Sequence, residues 1–370
     1  MLEFDPLDEY PIHQVPLSMR YVGSSDRNVY DRCIFQGVDH EADAFFITGM
    51  GVYPNLGVID AYMTVRRGDR QWAVRMSGAR PDDKMSQQVG PYRIEVIEPF
   101  KKLRIVCDAD DHGLGFDLLW ESEYAPIAEP QHIRRQGDRI LLDASRFAGL
   151  GTWQGELRVE GDKIDVTPDR FTGTRDRSWG IRPVGESEPA GRPSAFDGMW
   201  WLWIPLRFDD FGVHVIVEED PSGARNSNFA VRVWPDALGR EPEQLGWPIP
   251  SIEYRSGTRE PTHATLECMT RSGKPLTLDI EPILGIPLNV GAGYGADPDW
   301  THGLWKGENW VEGAVYDHND PAVSGRAAFS ITDYIARATF DGQTGWGIFE
   351  HGALGRHDPS GFADFMSVAP

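Results

Sequence analysis

Hydrophobic and polar residues alternate with a period of two in many short segments of this chain. In Pro275–Glu281, for example, Leu276, Leu278 and Ile280 fall on one side and polar residues on the other. Successive side chains of a β-strand point to opposite faces, so this pattern predicts a half-buried antiparallel strand. Similar segments predict strands at Lys102–Cys107, Phe116–Glu121, Arg139–Leu142, Val213–Glu218, Phe229–Trp234 and Tyr334–Phe340. Helical periodicity is weak throughout, which favours an all-β protein of antiparallel meanders.

An internal repeat indicates that one β unit occurs twice. The eleven residues Gly151–Gly161 align without gaps on Gly303–Gly313, with seven identical positions. A looser second match pairs Phe171, Gly173 and Trp179-Gly180-Ile181 with Phe340, Gly342 and Trp346-Gly347-Ile348. We therefore expect both segments on equivalent strands of two similar units. The alternative is two copies of a common hairpin type.

The length of the chain and one linker-like segment predict two domains. A chain of 370 residues is long for a single compact core. Gly185–Ser194 has the composition of a linker and lies between the two halves. We place the N-terminal domain at residues 1–185 and the C-terminal domain at residues 186–370.

Composition narrows the range of partners. With 36 Lys and Arg against 57 Asp and Glu, the formal net charge is −21, which disfavours binding to nucleic acid. Cys33, Cys107 and Cys268 are too scattered for a disulfide framework or a zinc pair, which is typical of a reducing compartment. The N-terminus lacks a signal sequence, and no apolar run approaches the roughly 20 residues of a membrane span. We expect a soluble, cytoplasmic protein.

The densest polar motif is Thr172–Arg182, just before the predicted domain boundary. As an extended strand it presents Thr174, Asp176 and Ser178 on one face and Arg175, Arg177 and Trp179 on the other. Asp176 is then a candidate proton donor, while the other face stacks a guanidinium on an indole. The alternative is that Asp176 only pairs with an arginine and stabilises the domain junction.

Asp176-Arg-Ser-Trp-Gly180 resembles the Asp-His-x-Trp-Gly signature of the carotenoid hydratase (hydroxyneurosporene synthase) superfamily of tandem lipocalin-like proteins. Short matching segments occur at Gly51–Gly57, Gly293–Gly295, Trp300–Gly307 and Phe349–Gly352. The resemblance implies two lipocalin-like antiparallel β-barrels in tandem, a long apolar pocket, no redox cofactor and, in the hydratases, acid-catalysed addition of water to an isolated double bond. It makes Asp176 the candidate general acid. Arg177 stands where the hydratases usually have His.

Further candidate residues lie in Gly- and Trp-rich segments. The predicted catalytic residues are Asp176, His302, Glu350 and His351. The predicted substrate-binding residues are Tyr53, Asp60, Arg175, Trp179, Arg182, Tyr294 and Trp305. The alternative is that the histidines are ordinary loop residues and that Tyr53 and Asp60 belong to a turn and the strand after it. No metal-ligand cluster or phosphate loop is recognisable, so we expect no metal and no cofactor.

These observations favour a cofactor-independent lyase or isomerase of hydratase or dehydratase type. Its expected partner is a hydrophobic small molecule such as a terpenoid, a steroid or a polycyclic aromatic compound. The general acid would have to stay protonated near neutral pH; burial favours the protonated form, whereas Arg175 and Arg177 nearby oppose it, and the sequence leaves the sign of the net pKa shift open. One alternative is a non-catalytic lipocalin-like carrier of the same ligands. A second is a carbohydrate-active or carbohydrate-binding β protein, for which an exposed Trp platform beside two carboxylates would be diagnostic. A homodimer is compatible with the sequence.

Overall fold

The computed structural model describes residues 4–189, 196–295 and 297–370, and within these the chain is almost entirely β. The strands are β1 (Val29–Asp39), β2 (Phe45–Tyr53), β3 (Val58–Arg67), β4 (Arg70–Ala79), β5 (Gln88–Val89), β6 (Tyr92–Glu98), β7 (Lys102–Ala109), β8 (Leu114–Glu121), β9 (Ile127–Ala128), β10 (His132–Gln136), β11 (Arg139–Val159), β12 (Asp162–Val166), β13 (Phe171–Ile181), β14 (Gly198–Arg207), β15 (Gly212–Glu219), β16 (Arg225–Val233), β17 (Glu243–Gln244), β18 (Ile249–Tyr254), β19 (Pro261–Met269), β20 (Pro275–Pro287), β21 (Trp310–Asp317), β22 (Thr332–Phe340) and β23 (Gln343–Gly355). The α-helix is α1 (Pro321–Ala327), and short 3-10 helices span Pro6–Glu9, Asp110–His112, Asp236–Leu238 and Asp358–Ser360. Among the described residues, no helix has the length and apolar character needed to cross a membrane.

Among the described residues, the first sheet contains 14 antiparallel strands. Its order is β21-β4-β3-β2-β1-β13-β11-β8-β7-β6-β5, and β9, β10 and β12 also pair with β11. The first and last long strands of this half, β1 and β13, are hydrogen-bonded to each other over their whole length. Its interior, which includes Phe35, Trp120 and Trp153, forms the first core.

In the part of the chain that the structure describes, the second sheet contains nine antiparallel strands in the order β17-β16-β15-β14-β23-β22-β20-β19-β18. Its first and last long strands, β14 and β23, are again adjacent. Leu202, Val215, Leu278 and Phe349 lie in its interior, the second core. Both halves therefore place their last strand beside their first.

The two sheets pack face to face through a third apolar cluster, the inter-sheet core. Strands β11 and β13 of the first sheet contact β14 and β23 of the second. Ile34 and Ile47 of the first sheet share this core with Trp203 and Ile348 of the second. Much of the face that each sheet turns towards the other is therefore apolar, as burial between two sheets favours.

One segment of the second half of the chain belongs to the first sheet. After β20 it crosses to the first sheet, where β21 pairs with β4 at the sheet edge. On the way, Tyr294 and His302 pack against Tyr62 of β3. The chain then returns through α1 to β22. Residues 288–295 and 297–317 therefore cover part of the first sheet.

The connection between the sheets runs from Ile181 to Gly198. Residues 190–194 of the predicted linker lie outside the described residues. In the described part, Val184 is buried and the amide of Gly185 donates to the carbonyl of His302 at 2.7 Å. This part of the connection is therefore packed against the segment after β20 that crosses to the first sheet.

The predicted all-β tandem architecture is confirmed. Each segment predicted as a strand lies in a strand of the structure, except that Trp234 falls one residue beyond the end of β16. In β20, Leu276, Leu278 and Ile280 are buried and the residues between them are exposed or partly exposed, as alternation predicted.

The prediction that the two Gly-x-Trp-x-Gly-Glu segments lie on equivalent strands is wrong. Trp153 is fully buried on β11, and its indole N–H donates to the carbonyl of Gln36 at 2.9 Å. Trp305 lies in the loop before β21 and is 50% exposed. The physical reason is that neighbouring strands, rather than eleven local residues, decide whether such a segment joins a sheet.

Candidate functional site

A cavity of about 150 Å³ lies between the two sheets, within the inter-sheet core. Strands β1, β11 and β13 of the first sheet and β14 and β23 of the second contribute to its walls, together with the segment after β20. Its lining combines carboxyl groups, arginines and tryptophans. We refer to it as the inter-sheet cavity.

Asp176 presents its carboxyl to this cavity from the middle of β13. Its side chain is 18% exposed, and its Oδ2 lies 3.8 Å from Nε of Arg146. Burial raises the pKa of Asp176 to about 7; Arg146 opposes this rise, while Glu129 and Glu350 add to it. At neutral pH a large fraction of the molecules therefore carries a proton on Asp176.

Two further carboxyls face each other across β22 and β23. Asp333 and Glu350 are directly opposite in the strand register. Burial, reinforced by Glu350, raises the pKa of Asp333 well above its usual range. The Gln36 amide donates to Asp333 Oδ2 at 3.2 Å, and the Trp201 indole N–H donates to Glu350. Among the described residues, no group of three or more His, Cys, Asp or Glu side chains is arranged as a metal site.

Asp176 and Glu350 occupy corresponding places in the two halves. Asp176 lies on the last long strand of the first half, opposite Ile34 of β1. Glu350 lies on the last long strand of the second half, opposite Trp203 of β14. The cavity therefore receives one carboxyl from the matching strand of each sheet.

Glu129 holds the arginine nearest to Asp176. Its side chain is 2% exposed and lies 3.2 Å from Nη1 of Arg146. Trp203 Nε1 donates to it at 2.8 Å, and His214 Nε2 lies 2.9 Å away. Burial would raise the pKa of Glu129, but Arg146 and His214 outweigh it and lower the pKa. Glu129 is therefore the charged partner of Arg146, and Asp176 interacts more weakly with the same guanidinium group.

Aromatic side chains form the second-sheet wall of the cavity. Trp201 and Trp203 are 6% and 2% exposed, so they form no surface platform of the kind expected for a sugar-binding protein. The His132 ring stacks on Trp201, with 5.6 Å between ring centroids. His132 and Arg134 both pair with the buried carboxylate of Glu218, at 2.6 and 3.2 Å.

Arg32 and Arg182 line the cavity together with Tyr294. The guanidinium carbons of Arg32 and Arg182 lie 4.9 and 5.8 Å from the Tyr294 ring centroid. Both guanidinium groups therefore make cation–π contacts with one aromatic ring.

Asp60, Tyr53 and His302 form a buried polar cluster behind Arg32. Asp60 accepts hydrogen bonds from the Tyr53 hydroxyl at 3.1 Å and from the Gly303 amide at 2.6 Å. Gly303 has a φ of +81°, a conformation that favours glycine. Burial, with a contribution from Arg32, lowers the pKa of His302 to about 4, so the imidazole is neutral. The side chains of Asp60, Tyr53 and His302 do not line the cavity.

Of the residues predicted from sequence, the structure brings Asp176, Glu350, Arg182 and Tyr294 together around the cavity. Besides the Asp60, Tyr53 and His302 cluster, the predicted residues that lie outside the cavity are His351, Arg175, Trp179 and Trp305. His351 faces the second core, within 2.9 Å of the Trp201 carbonyl and 3.0 Å of the Tyr254 hydroxyl. Arg175 projects into the first half, 5.2 Å from the Trp120 ring centroid. Trp179 and Trp305 are 44% and 50% exposed.

Sequence reasoning missed Arg32, Arg146, Glu129 and Asp333. A usable signal existed for Arg32, because in β1 it shares a face with Ile34 that alternation assigns to a buried surface. A charged residue at such a position is costly unless it is paired or functional. For Glu129 and Asp333 the signal was weaker, since their partners are distant in sequence.

The fold and the cavity define a tandem lipocalin-like protein with buried carboxyl groups between its two barrels. The family model of DUF8625, a family of unknown function, matches residues 4–363, and the chain belongs to this family. No curated protein matches the chain.

Solved structures of three proteins resemble the fold. The AttH-type protein NE1406 of Nitrosomonas europaea aligns with a TM-score of 0.51 at 12% identity, covering 92% of this chain and 97% of that one. Kievitone hydratase of Nectria haematococca aligns with a TM-score of 0.51 at 14% identity, covering 95% and 98%. CghA aligns with a TM-score of 0.50 at 12% identity, covering 90% and 89%. The predicted pair of lipocalin-like barrels is thereby confirmed at the level of fold.

Proposed function

We propose that the protein is a lyase or isomerase of hydratase or dehydratase type that acts on a hydrophobic small molecule in the inter-sheet cavity, with Asp176 as general acid. The observation that carries this proposal is the pKa of about 7 at Asp176, in a cavity that it shares with Glu350. A carboxyl with a pKa near the working pH is suited to proton transfer in both directions. The fold shared with kievitone hydratase is compatible with this class of reaction.

In the hydration direction, Asp176 donates its proton to one carbon of a double bond, and a cationic centre develops at the other carbon. The oxygen of a water molecule bonds to that carbon, and one water proton passes to Glu350. In the dehydration direction, Asp176 protonates a hydroxyl group, the carbon–oxygen bond breaks, and Glu350 accepts a proton from the neighbouring carbon. If Asp176 instead protonates an alkene and Glu350 then accepts a proton from a different carbon, the double bond moves and the net result is isomerisation.

The cavity walls are suited to this charge development. Trp201 and Trp203 offer buried aromatic faces, and such faces stabilise cations. The volume of about 150 Å³ is comparable to an engineered cavity that binds benzene. A reacting group of about one ring would therefore fit, whereas the rest of a steroid or polycyclic substrate would have to extend beyond the cavity or widen it.

Oxygen exchange with isotopically labelled water tests the proposal without knowledge of the natural substrate. The purified protein is incubated with α-terpineol, linalool or dimethylphenylcarbinol in water enriched in heavy oxygen. Reversible dehydration replaces the hydroxyl oxygen by solvent oxygen, which mass spectrometry detects. We expect exchange by the wild-type protein and a rate roughly two to four powers of ten lower in Asp176→Asn.

Asp165→Asn is the matched control, because Asp165 is exposed on β12, away from the cavity. It should exchange at the wild-type rate. Equal exchange by wild type and Asp176→Asn would contradict the assignment of the acid. If the wild-type protein exchanges none of these alcohols but co-purifies with an apolar compound that stays unchanged, the carrier hypothesis would replace the enzyme hypothesis.

A further inference from the structure

We propose that the inter-sheet cavity recognises a carboxylate on its otherwise apolar substrate, and that Arg32 and Arg182 bind this group. The inference rests on the proposed function for the identity of the reacting site, but the anion-binding site stands on its own geometry. It names the substrate class more narrowly: a small apolar acid whose carbon skeleton lies against Trp201 while its carboxylate lies at the two arginines.

Of the two arginines, Arg32 provides the stronger evidence for an anion-binding site. The residue is only 6% exposed, and its Nε and Nη2 atoms have no hydrogen-bond partner among the described residues. Its contacts are aromatic: the guanidinium carbon lies 5.2 Å from the Tyr30 ring centroid and 4.9 Å from that of Tyr294. Buried charges are normally paired, because removing them from water is costly. Donors left unpaired in a cavity wall indicate a missing anionic partner.

Arg182 shares the same two rings. Its guanidinium carbon lies 5.7 Å from the Tyr30 centroid and 5.8 Å from the Tyr294 centroid. Burial and the nearby charge of Arg32 lower the pKa of Arg182. Two guanidinium groups next to the same rings repel each other, and an anion bound between them would relieve that repulsion.

The other two arginines of the cavity each have a carboxylate partner. Arg134 lies 3.2 Å from Glu218, and Arg146 lies 3.2 Å from Glu129. By contrast, within residues 4–189, 196–295 and 297–370 no carboxylate oxygen lies within 4 Å of a nitrogen of Arg32 or Arg182. This difference separates the arginines that maintain the fold from those available to a ligand.

Asp60, behind Arg32, attracts it without forming an ion pair: burial would lower the pKa of Arg32, but Tyr294, Tyr53, Tyr30 and Asp60 outweigh this effect and raise it. Asp60 is engaged by the Tyr53 hydroxyl and by the amide of Gly303. The neighbouring His302 is neutral, since burial lowers its pKa to about 4. A carboxylate entering the cavity would instead offer two oxygens to planar guanidinium donors, which is the geometry that arginine binds best.

Binding of benzoate tests the inference, with benzamide as a neutral probe of nearly the same shape. Both are titrated into the protein near neutral pH by calorimetry, and the fluorescence of the cavity tryptophans gives a second readout. We expect benzoate to bind the wild-type protein at least tenfold more tightly than benzamide. In Arg32→Met and Arg182→Met this preference should disappear, whereas Arg337→Met, which changes an exposed arginine of β22, should keep it.

Stability separates loss of binding from loss of fold. Methionine fills similar volume without a charge, and replacing an unpaired buried charge by an apolar residue is neutral or stabilising. Arg32→Met should therefore melt no lower than the wild-type protein in the absence of ligand. Wild-type protein that binds neither probe, or prefers benzamide, would overturn the inference, as would an Arg32→Met variant that is folded and keeps the preference.

Asp176→Asn distinguishes this inference from the proposed function. It should lose oxygen exchange yet bind benzoate at least as tightly as the wild-type protein, because removing a carboxylate reduces repulsion of the anion. Exchange without benzoate preference refutes only the anion-binding site. Benzoate preference without exchange in any of the tested alcohols refutes only the reaction.

Discussion

Replacing Asp176 by Asn should stabilise the protein at alkaline pH, and the size of the effect follows from the surroundings of this carboxyl. In the folded protein its pKa is about 7, against 3.8 for an unperturbed aspartate. Between these values the folded state holds a proton that the unfolded state has lost, so stability falls as pH rises. At about 1.4 kcal/mol per pKa unit, the loss approaches 4 kcal/mol once the pH exceeds the folded-state pKa.

Asparagine cannot ionise, so Asp176→Asn escapes this loss. Its free energy of unfolding should exceed that of the wild-type protein by up to about 4 kcal/mol at about pH 8.5, and the two should converge towards about pH 4. The substitution also removes the attraction between Asp176 and Arg146. This loss is small, because Arg146 lies 3.8 Å from Asp176 but 3.2 Å from Glu129 and keeps Glu129 as its partner. Urea unfolding at a series of pH values, followed by tryptophan fluorescence, measures the difference.

Glu129→Gln is the matched control, since it removes the carboxylate that does pair with Arg146. It should destabilise the protein by roughly 3 to 5 kcal/mol at neutral pH, because a buried cation loses its charged partner. If Asp176→Asn instead shows this behaviour, melting lower than wild type at every pH, Asp176 is an ion-pair residue and the reasoning from its raised pKa is refuted.

Three further outcomes follow from the same structure. Oxygen exchange should slow as pH rises through about 7, because Asp176 loses its proton there; a rate that rises through this range would contradict its role as acid. Phe349→Ala should lower the free energy of unfolding by roughly 3 to 5 kcal/mol, since Phe349 is fully buried in the second core, and urea unfolding would detect it. Trp153→Phe should cost about 1 to 3 kcal/mol in the same assay by leaving the buried Gln36 carbonyl without its indole donor, and an unchanged midpoint would show that another donor replaces it.

Strand positions and faces were predictable because alternation is a local property of an extended backbone. The motif around Asp176 shows this well. Asp176 and Ser178 line the cavity, whereas Arg175 points the opposite way, towards Trp120. These orientations depend on the strand alone and hold whichever strands become its neighbours.

What covers each face was not predictable from local pattern. Gln36 and Asp333 are separated by 297 positions, and they meet only because the two sheets pack against each other. The same limit explains the error over the repeat, where Trp153 is buried and Trp305 is exposed. Similar residues acquired different environments because one segment lies in the middle of a sheet and the other in a loop.

The chemistry proposed for Asp176 needs both halves of the chain. The carboxyl is attached to the first sheet, but the walls that keep it from water include Trp201 of β14 and Ile331 of the second half. Burial is the main cause of its raised pKa, and Glu350, also from the second half, adds to it. Without the second sheet, the carboxyl would face solvent beside Arg146 and would be ionised at neutral pH. A protonated acid at this position is therefore a consequence of the packing between the sheets, and a change that loosens this packing should lower the pKa of Asp176 before it unfolds either half.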